Sequence, residues 1–596
     1  MASGTGSRGL TRREALALAG MTAWAGSGSW KIGIAQITLS DGLARNQKKI
    51  LEYIREAASQ RCRVVVFPEG ALSAASGPTS PEIDQCLSEI REAAAAGEIH
   101  VLVGGKSNAP GESRSRNWMV VVDAAGKQAL WYDKLYDRPE ARMPGVFSMD
   151  AWECSAIICA DRWLRGIEEL PIMNGARISF ELSNNYDNEW VPELGWYWYV
   201  PRAIRNGAYV VLANTSGPGK HGHSAVIGPD GSMIAAAENR EGLVTATIDP
   251  VRASRAEAIR RQKHPLLSSF WDEGRRVLKS GSGEVQPVKQ YLSPEIEVRL
   301  AVAQMACSRK VEANVARMVA MIRKAAEGGA DAIVFPELAV TGAREEDVLG
   351  AGAGALRDAL TKIRETAQSA KICTVFGMPH HENGRTTNAA FAIGPDGGIL
   401  TRYDQLAVDR QHLFQPGTGA ASMWFRVKGV PGVVTIGHDG LWSEIAELAS
   451  LAGGQLHFHI ANDPSTGKQA SLRRLQIWAN LASWATFTTT VNAASPEGLK
   501  SPSAPADGGS AIWEDLRRRE ESNLAKVGQK APGHERMSIY SPFSANCLVR
   551  AGSDEQILFA KERMNLSPEH RSARFNPRME AWYSLGARLF AGPLGF

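Results

Sequence analysis

The chain has 596 residues, too long for one hydrophobic core, and is read as two large domains or more. It is 44% hydrophobic and 22% charged, the composition of an ordinary globular protein, and a net charge of +4 is too slight to point to nucleic acid or an anionic membrane. Seven cysteines are scattered without a CxxC pair or a Cys/His cluster, which argues against a disulfide framework and against a structural metal. No run of about 18 apolar residues predicts a membrane helix in the mature chain.

Residues 1–29 open with Thr11-Arg12-Arg13-Glu14, a mildly apolar run, and the small-x-small triplet Ala23-Trp24-Ala25. This pattern resembles a twin-arginine export signal and implies a periplasmic or secreted protein; without export the chain is cytoplasmic. Two halves then echo each other. Lys31 to Gln36 and Arg299 to Gln304 alternate as strands do, and each leads to a helix-like stretch, Asn46 to Ala58 and Asn314 to Ala326. The β-branched runs Val64-Val65-Val66-Phe67-Pro68-Glu69 and Ala332-Ile333-Val334-Phe335-Pro336-Glu337 read as buried strands that end in Pro-Glu. Two hairpins follow, ending in Tyr132-Asp133-Lys134 and Tyr403-Asp404-Gln405. Ile157-Ile158-Cys159-Ala160-Asp161 then matches Thr435-Ile436-Gly437-His438-Asp439, with one residue of slip placing His438 opposite Cys159. Strands alternating with helices, given twice, predict two α/β domains, 30–271 and 297–564. They are joined by a polar linker at 272–296 and followed by a tail at 565–596.

Cys159 ends an apolar run at a strand-to-helix junction, where backbone N–H groups lower a thiol pKa from its usual value of about 8.5. Glu69 at a strand end can take the thiol proton, and Lys134 can face a developing oxyanion. Taken singly, each residue reads equally as a small buried hydrophobe, a turn carboxylate and a solvated hairpin end.

As an ordered set, Phe67-Pro68-Glu69, Tyr132-Asp133-Lys134-Leu135 and Ile157-Ile158-Cys159-Ala160-Asp161 resemble the three signature blocks of the nitrilase (carbon–nitrogen hydrolase) superfamily. Arg202-Ala203-Ile204-Arg205-Asn206 and the hairpin His223 to Gly231 extend the resemblance, although Arg205 stands where the family frequently has Glu. The resemblance implies an α/β fold of two tandem four-layer α-β-β-α sandwiches. It implies Cys159 as nucleophile, Glu69 as base and then acid, Lys134 and the Ala160 N–H as oxyanion donors, and Glu140 as a holder of the substrate nitrogen or water. Trp163, Asn184, Asn185 and Trp190 are candidate pocket residues. The substrate is a small amide or carbamoyl compound, or a nitrile, and neither metal nor organic cofactor is required.

In the second half Glu337 is retained, Gln405 replaces the lysine, and His438 is read at the cysteine position. This second site is taken as degenerate, with ligand or metal binding by His438, His457 and His459 as the sharper alternative. The two repeats are expected to pair as an intramolecular pseudo-dimer, with further homo-oligomerisation open. Two other functions stay in view: a non-catalytic scaffold, and a soluble N-acyltransferase.

Overall fold

A computed structural model describes residues 28–74, 77–108, 115–137, 146–163, 165–185, 196, 199–280, 296–463, 477, 487–494, 508–514, 547–564 and 577–591. The chain divides into two compact units, one of residues 1–187 and 206–258, the other of 188–205 and 259–596.

In the first unit, β1 (Trp30–Gln36), β2 (Val64–Val66), β3 (His100–Ser107), β4 (Arg116–Val122) and β5 (Gln128–Asp133) lie in the six-stranded order β12-β1-β2-β3-β4-β5, where β12 is Gly242–Ile248. A second sheet runs β11-β10-β9-β8-β7-β6, built from β6 (Phe147–Met149), β7 (Trp152–Ile158), β8 (Ile178–Leu182), β9 (Tyr209–Ala213), β10 (Ala225–Ile227) and β11 (Met233–Ala236). The sheets meet where β1 packs on β9. Helices α1 (Leu43–Ser59) and α2 (Ser80–Gly97) cover the outer face of the first sheet, and α3 (Arg165–Met173) lies on β7 and β8 of the second. The helix α1 forms because Ile50, Ile54 and Ala57 fall on one face, all fully buried. With layers on both sides, the central strand β2 is apolar throughout, and all three of its valines are buried.

The second unit repeats this plan. Strands β13 (Ile296–Gln304), β14 (Ala332–Val334), β15 (Cys373–Glu382), β16 (Arg385–Ile393) and β17 (Ile399–Asp404) form one sheet with β24 (Gln556–Met564). The other contains β18 (Trp424–Val427), β19 (Val430–Ile436), β20 (Leu456–Ile460), β21 (Phe487–Val491), β22 (Ala511–Glu514) and β23 (Cys547–Arg550). These sheets meet through β13 on β21 and β16 on β19.

Two sequence boundaries differ from the structure. Residues 272–280 do not begin a linker: they complete a helix, Pro265–Ser280, which follows the helix Ala256–Lys263. The stretch after 565 is not only a tail, because Pro577–Phe590 is helical. Trp582 from that helix is buried, stacks on Phe270 and packs edge-on to Trp271. Arg261, fully buried, donates to Glu444 at 2.8 Å and to the Arg205 carbonyl at 3.1 Å. Apolar and charged anchors alike hold the two helices after residue 256 in the second unit. No described helix is long and apolar enough to cross a membrane.

Candidate active site

The site of the first unit is built at the ends of β2, β5 and β7. The Phe67-Pro68-Glu69 segment leaves β2 and crosses the backbone of β3 at Gly104, where an added Cβ would lie 3.2 Å from the Pro68 carbonyl oxygen. That close approach favours glycine, since a side chain there would press the Pro68–Gly70 backbone back by a few tenths of an ångström. Glu69 is thereby buried at 4% exposure, and its Oε1 accepts from Lys134 Nζ at 2.8 Å and from Asn117 Nδ2 at 2.6 Å. Burial works to raise the Glu69 carboxyl, but Lys134 and the two hydrogen bonds outweigh it and hold the group below its ordinary range. Burial likewise works against the Lys134 ammonium, and Glu69 followed by Cys159 reverses this and raises it.

Cys159 begins a short 3-10 turn, Cys159–Trp163, directly after β7. Its φ is +43°, a left-handed conformation that costs a non-glycine residue about 1 kcal/mol or more. The strain is held by Asp161, which is fully buried and accepts from the Ile158 N–H at 3.1 Å, the Tyr136 N–H at 2.8 Å and the Tyr132 hydroxyl at 2.7 Å. Burial pushes the Asp161 carboxyl up to about 7 in spite of these donors.

The sulfur has a neighbour that the sequence did not suggest. Arg162 Nη2 lies 3.2 Å from Cys159 Sγ, and Asn185 Oδ1 lies 3.6 Å from it. Arg162 is itself fixed, donating Nη1 to Glu181 at 2.7 Å and Nη2 to Asn185 at 2.7 Å. Burial raises the Cys159 thiol pKa; Arg162 first, then Lys134, pull it down, against Glu69 and Glu181.

The structure therefore brings Glu69, Lys134, Cys159 and Asn185 together, with the Ala160 backbone inside the 3-10 turn. Asn184 points elsewhere, accepting from the Thr215 hydroxyl at 2.7 Å. Glu140, Trp190 and the side chain of Trp163 lie outside the described residues. Sequence reasoning missed Asn117, Asp161, Tyr132, Arg162 and Glu181. A signal existed for the first three, since Asn388, Asp439 and Tyr403 repeat them. For Glu181 it was a carboxylate within the short strand Ile178-Ser179-Phe180-Glu181-Leu182.

The sequence model of the carbon–nitrogen hydrolase family matches residues 31–258 and again 299–487. The chain belongs to the carbon–nitrogen hydrolase family. Among curated relatives of this carbon–nitrogen hydrolase, a 2-oxoglutaramate amidase of Bacillus subtilis is 26% identical over 249 residues, covering 37% of this chain and 91% of the relative. A hydrolase in the agr operon of Staphylococcus lugdunensis is 27% identical over 209 residues, covering 31% and 87%. Among solved structures, an amidase from Nesterenkonia sp. is 21% identical, covers 39% of this chain and 97% of its own, and superposes with a TM-score of 0.34.

The second unit of the hydrolase corrects one assignment. Ile436 ends its strand, and Asp439 accepts from the Ile436 N–H at 3.0 Å, the Ala407 N–H at 2.7 Å and the Tyr403 hydroxyl at 2.8 Å, repeating the Asp161 clamp bond for bond. The residue at the cysteine position is therefore Gly437, with φ +48°, and not His438, which takes the place of Ala160. A Cβ on Gly437 would lie 2.9 Å from Glu337 Oε2, so a side chain there would have to displace the end of the retained glutamate. Glu337 Oε1 accepts from Asn388 at 2.6 Å and Arg410 at 3.4 Å, and Oε2 accepts from the Asn462 N–H at 3.1 Å. Gln405 donates to the Ile436 carbonyl at 3.1 Å. His457 and His459 both meet the Thr435 hydroxyl, and burial pulls His457 down to about 3. Among the described residues no group of three or more His, Cys, Asp or Glu is placed to hold a metal.

Proposed function

We propose that the first unit hydrolyses the carbon–nitrogen bond of a small amide through a thioester on Cys159. The observation that carries the reading is a thiol on a strained turn, in electrostatic contact with a buried Glu69–Lys134 ion pair. Glu69 takes the thiol proton as sulfur attacks the carbonyl carbon. The Lys134 ammonium and the Ala160 N–H stabilise the oxyanion, and Glu69 returns the proton to the departing ammonia or amine. Water, deprotonated by Glu69, then releases the acid and restores the thiol. Glu140 is proposed to hold the leaving nitrogen or the incoming water.

An amide is preferred to a nitrile because Ala-Asp follows the cysteine, and because the relatives include a 2-oxoglutaramate amidase. The second unit is proposed to be inert, since its nucleophile position is glycine and its lysine position is Gln405. Export by the twin-arginine signal and pairing of the two repeats within one chain belong to the same proposal. The test is intact-mass analysis after incubation with a panel of amides and nitriles. An acyl adduct on the wild-type chain, absent from Cys159→Ala, is the expected result. Turnover that survives Cys159→Ala overturns the reading.

A further inference from the structure

We propose that Arg162 is a further catalytic residue of the first unit: its guanidinium, aimed at Sγ by Glu181 and Asn185, stabilises the Cys159 thiolate as it forms. This rests on the reading of Cys159 as the nucleophile.

Among the described residues, four charged groups face the sulfur: Glu69 beyond β2, Lys134 beyond β5, Arg162 on the cysteine's own turn, and Glu181 on β8. Two of them are cations, and they are not equivalent. Lys134 is bonded to Glu69 at 2.8 Å and has Asp137 at 3.7 Å, so its charge is directed to carboxylates. Arg162 is the cation in hydrogen-bond contact with the sulfur, at 3.2 Å. Its two anchors engage both ends of the fork, Glu181 on Nη1 and Asn185 on Nη2, and Ser183 donates to Glu181 at 2.7 Å. A planar fork fixed at both nitrogens loses little freedom when a third acceptor charges up beside it.

The second unit supplies an independent observation. The Asp–Tyr clamp and the Asn–Glu bond are kept there, while the cysteine, the arginine and the arginine's carboxylate are all changed. Gly437 stands at the sulfur position, Gly440 at the Arg162 position and His459 at the Glu181 position, as the matching registers of β7 on β8 and β19 on β20 require. Residues that hold the turn in shape persist without chemistry. Arg162 and Glu181 are absent where the thiol is absent, which groups them with the sulfur and not with the fold.

In the attack step the S–H bond breaks, its proton passes to the Glu69 carboxylate, and the sulfur lone pair forms the new S–C bond. Arg162 keeps its own protons throughout, and its part is to lower the energy of the sulfur anion between those two events.

The test is the pH dependence of Cys159 alkylation by iodoacetamide, followed on the Cys159 peptide by mass so that the other six cysteines do not contribute. Arg162→Met is expected to move the midpoint up by about one pH unit and to slow alkylation at pH 7 about tenfold. Arg162→Lys, which keeps a charge without the fork, is expected to fall between Met and wild type. Should Arg162→Met not fold, Arg162→Gln decides instead: it is uncharged yet keeps polar reach toward Glu181 and Asn185, and should likewise raise the midpoint by about one unit. An alkylation curve that overlays wild type in the variant that decides overturns the proposal, as does a raised KM for an amide with an unshifted curve, the mark of a substrate-binding arginine. Alkylation needs no substrate, so a chain that hydrolyses no amide still tests Arg162, and the adduct experiment above tests the function separately.

Discussion

Tyr132→Phe isolates the clamp that holds the nucleophile's turn. The Tyr132 hydroxyl is buried, donates to Asp161 at 2.7 Å and accepts from the Leu135 N–H at 3.1 Å. Deleting it removes a hydrogen bond to a buried carboxyl and the acceptor of the Leu135 N–H, together about 3 kcal/mol. The chain carries its own control, because Tyr403 makes the same bond to Asp439 at 2.8 Å in the second unit. Hydrogen–deuterium exchange, read on peptides covering Leu135 and Ile158 or Leu406 and Ile436, is the assay. A loss of 3 kcal/mol accelerates exchange through local opening about a hundredfold. Tyr132→Phe should do this in the first unit alone and slow Cys159 alkylation, while Tyr403→Phe should loosen the second unit and leave Cys159 untouched. Exchange at Ile158 within threefold of wild type, or equal loss of Cys159 reactivity in both variants, would refute the reasoning.

Other outcomes follow from the same geometry. Glu69→Gln removes the 2.8 Å anion of the buried Lys134 ammonium and leaves it Asp137 at 3.7 Å; it should destabilise the first unit by about 2–4 kcal/mol, measured by chemical denaturation, while abolishing any acyl adduct. Asp161 carries the pH dependence: its folded pKa of about 7 exceeds the unfolded value of about 3.9, so its stabilising proton is fully present below pH 4 and lost as pH rises through 7. Asp161→Asn should therefore cost most near pH 5 and least near pH 8 in denaturation midpoints, and the reverse order would contradict the burial argument. Gly437→Cys forces a side chain toward Glu337 and into a left-handed φ; it should lower stability by about 1–3 kcal/mol and yield no second acyl adduct by intact mass. Arg261→Met removes the 2.8 Å donor to the buried Glu444 carboxylate and should lower the stability of the second unit by about 1–3 kcal/mol, read by calorimetry.

Much of the architecture was legible because it is written twice. Runs such as Val64 to Glu69 and Ala332 to Glu337 are apolar for a physical reason, since both faces of those strands are covered. The positions of Glu69, Lys134 and Cys159 followed from ordered blocks, but what steadies them did not. Tyr132, Asp161 and Asn117 act through contacts between distant strands, which spacing along the chain does not reveal. Spacing alone, with one residue of slip, places His438 at the cysteine position. The register is set by Asp439 bonding the Ile436 N–H, and that bond puts glycine there. The linker was placed too early because the Ser-Gly-rich stretch drew the boundary, whereas the amphipathic turn before it, with Phe270 and Trp271 buried, continues the helix. The sequence after 565 shows no match to the first half, so internal comparison does not reveal the helix Pro577–Phe590.

The helix Pro265–Ser280 changes how this chain can be dissected. A scissile point chosen at residue 271 would divide that helix and leave Trp582 without its stacking ring, although 271 is where the sequence repeat ends. One chosen at 258 would divide the helix Ala256–Lys263 and leave residues 188–205, which belong to the second unit, on the first fragment. Either cut divides a helix, so work on the first repeat's chemistry is best done on the unbroken polypeptide.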